Sequence, residues 1–283
     1  MTPPVPPPLG ARAGRLLGTA LFELDASGDS DVLLVSDLHL RPEADAATAA
    51  FERLLDAVPD GGLALILGDL FDYWVGRTQL QVAAWRRVPE ALRRAAERSV
   101  RIYVLHGNRD YQLGRAFERA TGARVVAGGL IVRARRSRDL VCLHGDELCL
   151  NDEKYQQSKR YLRCLALRAL GHTLPFSWSR RFADRARSIS KRSVSQADPY
   201  SLRPSERALR AVAGLGDVDL MFGHIHLASY GALTATRGGL AFRVLPAFEV
   251  DTCGHAIWSP GALPTYVAHG RAMDWPVRCR LGR

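Results

Sequence analysis

The stretch 31–58, DVLLVSDLHLRPEADAATAAFERLLDAV, decides the fold. Its first part, Val32–Val35, is a short apolar run, too short for a helix and rich in residues that suit a buried strand. A polar turn carrying Asp37 and His39 follows, and then Ala46–Val58 recurs with helical period. The same strand, turn and helix sequence repeats along the first half of the chain. Apolar runs recur at Leu63–Leu67, Ile102–Leu105 and Leu140–Leu143, and Val82–Arg98 has helical period. Each run ends at a Ser, Gly or His beside an Asp or Asn. Strands alternating with helices predict an α/β protein with a largely parallel sheet. Val218–Phe222 resumes the rhythm, and residues 233–250 and 256–267 predict further strands without a strong helix. Those later strands suggest a second sheet closing a sandwich.

Composition narrows the class. The chain has 283 residues, 47% of them hydrophobic, which excludes global disorder. It contains no uninterrupted run of 18 apolar residues, so no membrane-spanning helix is expected. Residues 1–30 begin Pro-rich, without the order of a secretory signal, and read as a partly disordered lead to a domain over 31–283. Five scattered cysteines, with no C-x-x-C, argue for reduced core thiols rather than a disulfide framework or a thiolate zinc site.

The net charge of +10 is concentrated in one place. Residues 151–213 hold 14 basic and 5 acidic groups, against 19 of each in residues 1–150. We read 151–213 as a basic helical cap inserted over the sheet edge. Such a segment suits an anionic partner, and a solvated Arg-rich face is the plainer alternative.

Metal-competent side chains stand at the ends of five predicted strands. They are Asp37 and His39 in VSDLHL, Asp69 in LGDLFD, Asn108 in HGNRD, His144 in LHGDE, and His224 and His226 in FGHIH. Carboxyl ends of strands converge on one edge of an open α/β sheet, where ligands bind. Imidazoles with carboxylates and an amide oxygen suit a borderline divalent ion such as Mn²⁺, Fe²⁺ or Zn²⁺. Seven ligands exceed one tetrahedral site and fit two ions sharing a carboxylate, an arrangement suited to in-line phosphoryl displacement. Arg109, beside Asn108, is a fixed cationic fork suited to a phosphate oxygen, with Asp110 placed to orient it.

The ordered run D-x-H, G-D-x-x-D, G-N-x-D, H-G-D, G-H-x-H resembles the calcineurin-like metallophosphoesterase superfamily. The resemblance covers residues 31–226 and implies a sandwich of two β-sheets flanked by helices around a dinuclear centre. It implies one metal site of Asp37, His39, Asp69 and His226. The other would comprise Asp69, Asn108, His144 and His224, with Asp69 bridging. A narrower similarity, in GDLFDYWVG, HGNRDYQLG and HGDELCLNDEKYQ, is to the pyrophosphatases of lipid A synthesis that cleave UDP-2,3-diacylglucosamine.

This narrower resemblance implies UMP and 2,3-diacylglucosamine 1-phosphate as products, and Mn²⁺ as the first candidate metal. It implies catalytic roles for Asn108, Arg109, Asp110 and His224. Asn108, Arg109, Asp152, Tyr155, Ser190 and His224 would contact substrate. Trp74, Phe176 and Trp178 are candidates for acyl or interface contacts, with core packing as the alternative for each. The implied partners are a nucleotide-linked lipid and an anionic membrane surface, with no nucleic acid and no protein partner. The implied location is the cytoplasm, peripheral to the inner membrane. The chain departs from the pattern at Ile225 and Leu227 in GHIHL, at Leu150 and Asn151 in LCLND, and at Val194 and Ala197. Two other readings stay open: a phosphodiesterase for another nucleotide diphosphate or phospholipid, and a non-catalytic membrane or nucleic-acid binder.

Overall fold

A computed structural model describes residues 15–26, 28, 31–134, 138–151, 203–234, 239–260 and 262–279. Two β-sheets lie face to face. The first has seven strands: β3 (Val32–Val35), β4 (Leu63–Ile66), β5 (Arg101–Leu105), β6 (Arg124–Val126), β12 (His255–Trp258), β13 (Thr265–Ala268) and β14 (Arg271–Met273). Their order is β14-β13-β12-β3-β4-β5-β6. The second has eight: β1 (Arg15–Leu16), β2 (Thr19–Asp25), β7 (Gly129–Arg133), β8 (Asp139–Cys142), β9 (Val218–Phe222), β10 (Ser229–Thr234), β11 (Gly239–Val244) and β15 (Val277–Arg278). Their order is β1-β2-β7-β8-β9-β11-β10-β15.

Helices α1 (Asp45–Ala57), α2 (Arg87–Glu97) and α3 (Arg115–Thr121) cover the outer face of the first sheet. Helix α4 (Glu206–Ala213) covers the second. The result is four layers: helices, sheet, sheet, helix. Alternation along the strands explains it. In β3, Leu33 and Val35 pack with Phe51 and Leu55 of α1, while Val32 and Leu34 turn inward. The inward residues meet Leu130, Leu140, Cys142 and Met221 of the second sheet. Both faces being covered, β3, β4 and β9 are buried throughout, which is why they read as continuous apolar runs.

Helix ends follow local chemistry. Helix α1 stops before Pro59, whose ring disfavours helical geometry at Val58. Helix α2 starts later than the expected residue 82, because Pro89 fits only the first turn; two 3₁₀ turns, Arg77–Gln81 and Ala83–Trp85, fill the gap. Ser205 caps α4 by accepting the Ala208 N–H at 3.1 Å.

The structure differs from the sequence expectation in further respects. First, the five ligand-bearing strands do not share one sheet: β3, β4 and β5 lie in the first, β8 and β9 in the second. Second, only part of the C-terminal region builds the second sheet; β12 pairs antiparallel with β3, Ala256 opposite Leu34, so β12 to β14 extend the first. Third, Thr19–Asp25 falls within the expected lead of 1–30 yet forms β2, paired with β7 and burying Leu21 and Leu24. Part of the expected 151–213 cap also belongs to the sandwich: Ala208, Leu209 and Val212 of α4 pack on its second sheet. Residues 152–202 lie outside the described residues. The chain on either side of them meets, the Ser205 N–H donating to the Leu148 carbonyl at 2.9 Å.

Candidate metal centre

Parallel register sets the site. Val35 pairs with Ile66, and Ile66 with Val104, so β3, β4 and β5 end level. Cys142 pairs with Met221, so β8 and β9 end level as well. The five turns that follow carry all seven expected ligands, three turns from one sheet and two from the other. Backbone bonds lace the turns together: Asp37 N–H to Gly68 carbonyl (3.2 Å), His39 N–H to Asp69 carbonyl (2.9 Å) and Gly223 N–H to His144 carbonyl (2.8 Å).

The turns approach closely enough that glycine is required. A Cβ on Gly107 would stand 2.1 Å from Asp69 Oδ1, and one on Gly223 would stand 2.2 Å from Asp37 Oδ2. Among the described residues, nine that are not glycine have positive φ, and five of them are Asp37 (53°), His39 (47°), Asp69 (52°), His224 (68°) and His226 (63°). Such backbone costs on the order of 1–3 kcal/mol per residue and gathers where function fixes the geometry.

The side chains converge. His226 Nε2 lies 3.3 Å from Asp37 Oδ1 and 3.2 Å from His39 Nε2. Asp69 Oδ2 is 3.8 Å from both His39 Nδ1 and His144 Nε2, placing it between the two halves of the set. His144 Nε2 lies 3.1 Å from Asn108 Oδ1, and the His144 and His224 rings meet edge to face at 5.1 Å. Two groups of three have ligand atoms all within 4.8 Å of one another: Asp37, His39 and His226, and Asp37, Asp69 and His144.

His144 Nδ1 donates to the Leu67 carbonyl at 2.9 Å, since a carbonyl only accepts, and this aims Nε2 into the site. With its nitrogen toward Asp69, the Asn108 amide donates to both carboxylate oxygens at 3.2 and 2.6 Å; turned over, it aims its oxygen at the same point.

Electrostatics show what the cluster is suited to hold. Asp37 is fully buried, and burial alone would raise its pKa. The imidazoles of His226, His144 and His39 outweigh this and hold it well below the usual range. Asp69 is raised by burial and by Asp110 and Asp37, against His144 and Arg109. Burial would lower His144, yet the surrounding carboxylates, Asp69 first, hold it up to about 9. Burial lowers His39 to about 3 and His224 to about 4, with Arg109 and His144 respectively adding repulsion. Asp37 Oδ1 and His39 Nδ1 are buried without a hydrogen-bond partner. Buried carboxylates and imidazoles with unused lone pairs around one space are a donor set that fits divalent cations.

Arg109 is held at the edge of this set. Its backbone N–H donates to Asp69 Oδ1 at 2.9 Å, its Nη1 donates to Asp72 Oδ1 at 2.9 Å, and its Nε lies 3.6 Å from Asp69 Oδ2. Asp110 does not orient it, as the sequence reading expected. The Asp110 carboxylate is fully buried and accepts the N–H groups of Gly107 (2.9 Å) and Leu70 (2.8 Å), binding two ligand turns together. Its place is structural, beneath the site. Asp72 is absent from the sequence-predicted set, although the G-D-x-x-D spacing marks it. Trp74 is 3% exposed and packs among Phe71 and Phe117, so its alternative reading, core packing, describes it. Asp152, Tyr155, Phe176, Trp178, Ser190, Val194 and Ala197 lie outside the described residues.

Residues 30–228 match the calcineurin-like phosphoesterase family, and the chain belongs to it. It is therefore a metal-dependent phosphoester hydrolase in class. Among curated proteins it is similar to the UDP-2,3-diacylglucosamine hydrolase of Pseudomonas aeruginosa (strain UCBPP-PA14), 35% identical over 236 residues, 79% of this chain and 96% of that one. The hydrolase of the same name from Pseudomonas syringae pv. tomato is 35% identical over 199 residues, 69% of this chain and 79% of its own. The one from Nitrosococcus oceani is 34% identical over 194 residues, 68% and 77% respectively. Among the described residues, no helix is long and apolar enough to cross a membrane.

Proposed function

We propose that the chain hydrolyses the pyrophosphate bond of UDP-2,3-diacylglucosamine, releasing UMP and 2,3-diacylglucosamine 1-phosphate. The observation that carries this reading is the convergence of Asp37, His39, Asp69, His144 and His226, with Asn108 and His224 in contact with His144, in a chain that aligns with nearly the whole P. aeruginosa hydrolase. Asp37, His39, Asp69 and His226 would hold one divalent ion, and Asp69, Asn108, His144 and His224 the other, with Mn²⁺ as the first candidate. Such ions supply Lewis acidity and lower the pKa of water.

The protein's own groups do the rest. The Leu67 carbonyl fixes the His144 tautomer, and the Asp37 carboxylate fixes the turn bearing His224 by accepting its N–H at 2.7 Å. Arg109, fastened by Asp72, presents its guanidinium to phosphate oxygens and cannot itself deliver a proton. Asn108 adds an amide dipole beside it. Substrate contacts by Asp152, Tyr155 and Ser190 are part of the same proposal. So are an anionic membrane as the docking surface and a cytoplasmic location beside the inner membrane.

The test is UMP release from UDP-2,3-diacylglucosamine in the presence of Mn²⁺, by the wild type and by Asp69→Ala. Turnover by the wild type alone supports the proposal. A wild type that binds metal and cleaves a simple aryl phosphodiester, but releases no UMP, overturns the substrate and leaves the class intact.

A further inference from the structure

In VSDLHLR, Arg41 stands two residues beyond the expected ligand His39. Leu38 and Leu40 are buried in the core beneath the helices. Asp37 and His39, at the intervening positions, have left-handed backbone (φ 53° and 47°). The register of this segment against the next turn is fixed: the Leu40 N–H donates to the Leu70 carbonyl at 3.0 Å, and the Asp72 N–H donates to the Leu40 carbonyl at 3.1 Å. Arg41 and Asp72 are thereby neighbours.

The Asp72 side chain is 8% exposed and faces two guanidinium groups, Arg109 Nη1 at 2.9 Å from Oδ1 and Arg41 Nε at 3.6 Å from Oδ2. Arg109 has the shorter contact with Asp72 and also faces Asp69 at 3.6 Å, so Arg41 is the less closely paired of the two guanidinium groups. Arg41 is also the outer of the two, 54% exposed against 28% for Arg109. The Arg41–Asp72 separation exceeds a hydrogen bond, and Arg41 makes no side-chain hydrogen bond among the described residues. It is more than half exposed and one carboxylate away from Arg109.

We infer that Arg41 is a second anion-binding residue, which takes the non-scissile phosphate of a diphosphate whose scissile phosphate sits against Arg109. The inference rests on the proposed diphosphate substrate and adds to it the residue that distinguishes two linked phosphates from one. A shared carboxylate holds the two forks at the spacing of neighbouring groups, as two phosphates joined through one oxygen require. Arg41 acts in binding and does not touch the reacting atoms.

Calorimetry on the Mn²⁺-loaded protein tests this, with UMP and non-hydrolysable α,β-methylene-UDP as probes, so that no turnover is needed. The wild type is expected to bind the diphosphate analogue more tightly than UMP. Arg41→Gln is expected to reduce that ratio about tenfold, the loss of a charge-assisted contact, and Arg41→Lys to restore part of it. Arg93→Gln, which removes a solvent-facing charge from α2, is expected to leave the ratio unchanged. A wild type that does not prefer the diphosphate overturns the inference, as does an Arg41→Gln ratio equal to that of the wild type. Failure to hydrolyse the lipid substrate, with the ratio behaving as expected, overturns the proposed substrate and leaves Arg41 in its role.

Discussion

The Asp37 carboxylate accepts the backbone N–H of His224 at 2.7 Å, a single bond that ties the first sheet to the second across the site. Asp37 therefore has two separable duties, one as an acceptor and one as a charge. Asp37→Asn keeps an acceptor for that N–H; Asp37→Ala leaves a part-buried donor without its partner. Both variants are expected to lose bound divalent metal, measured by elemental analysis. Only the Ala variant is expected to lose a further 1–3 kcal/mol or so of stability in denaturant titrations, the cost of an unmet buried donor.

Gly107→Ala places a methyl group 2.1 Å from Asp69 Oδ1 and 2.3 Å from the Asp69 backbone nitrogen. Either Asp69 or the Asn108 turn must shift. A displacement of about 1 Å in such a site costs on the order of a hundredfold in rate. The expected result is that loss in kcat/KM on an aryl phosphodiester, with an unchanged far-ultraviolet dichroism spectrum showing that the fold survives.

His255, on β12, gives stability a pH dependence. It is 7% exposed, and burial lowers its pKa below 6.5, only partly opposed by its contact with the Cys253 carbonyl. Above about pH 6.5 the ring is neutral in both folded and unfolded chains and contributes no pH dependence. Below it, the unfolded chain takes up the proton first, so stability falls as pH falls. Comparing denaturant midpoints at pH 7.5 and 5.5, the wild type is expected to lose more stability than His255→Gln.

Trp74, buried against Phe71 and Phe117, is expected to act through packing alone. Trp74→Ala is expected to cost about 3–5 kcal/mol in denaturant unfolding, as for other large aromatic truncations. Trp74→Phe, which keeps most of the ring contact, is expected to leave KM for substrate unchanged.

The sequence made the site more legible than the sheet. Each ligand sits where a short apolar run meets a turn, a local pattern, and the strands Val32–Val35 and Val218–Phe222 lie where the runs predict. Which sheet a strand joins is decided by partners far along the chain. Ala256 opposite Leu34 is such a pairing, and period-two alternation carries no record of it. Residues 19–25 escaped notice because only Leu21 and Leu24 of β2 are fully buried, and the Pro-rich stretch before them dominates the local composition. The place of Asp110 is likewise set by partners far along the chain. Beside Arg109 in sequence, it turns inward to collect backbone N–H groups, and the salt bridge forms instead with Asp72 from another strand's turn.

With three ligand turns on one sheet and two on the other, the metal centre gauges how far apart the sheets lie. The side chains between them, Leu34, Leu65, Tyr103 and Met221 among others, act as spacers for chemistry that happens well above them. A change of girth in that layer alters ligand separation without touching a ligand. Selection on the interior of this protein is accordingly selection on its reactivity as well as on its stability.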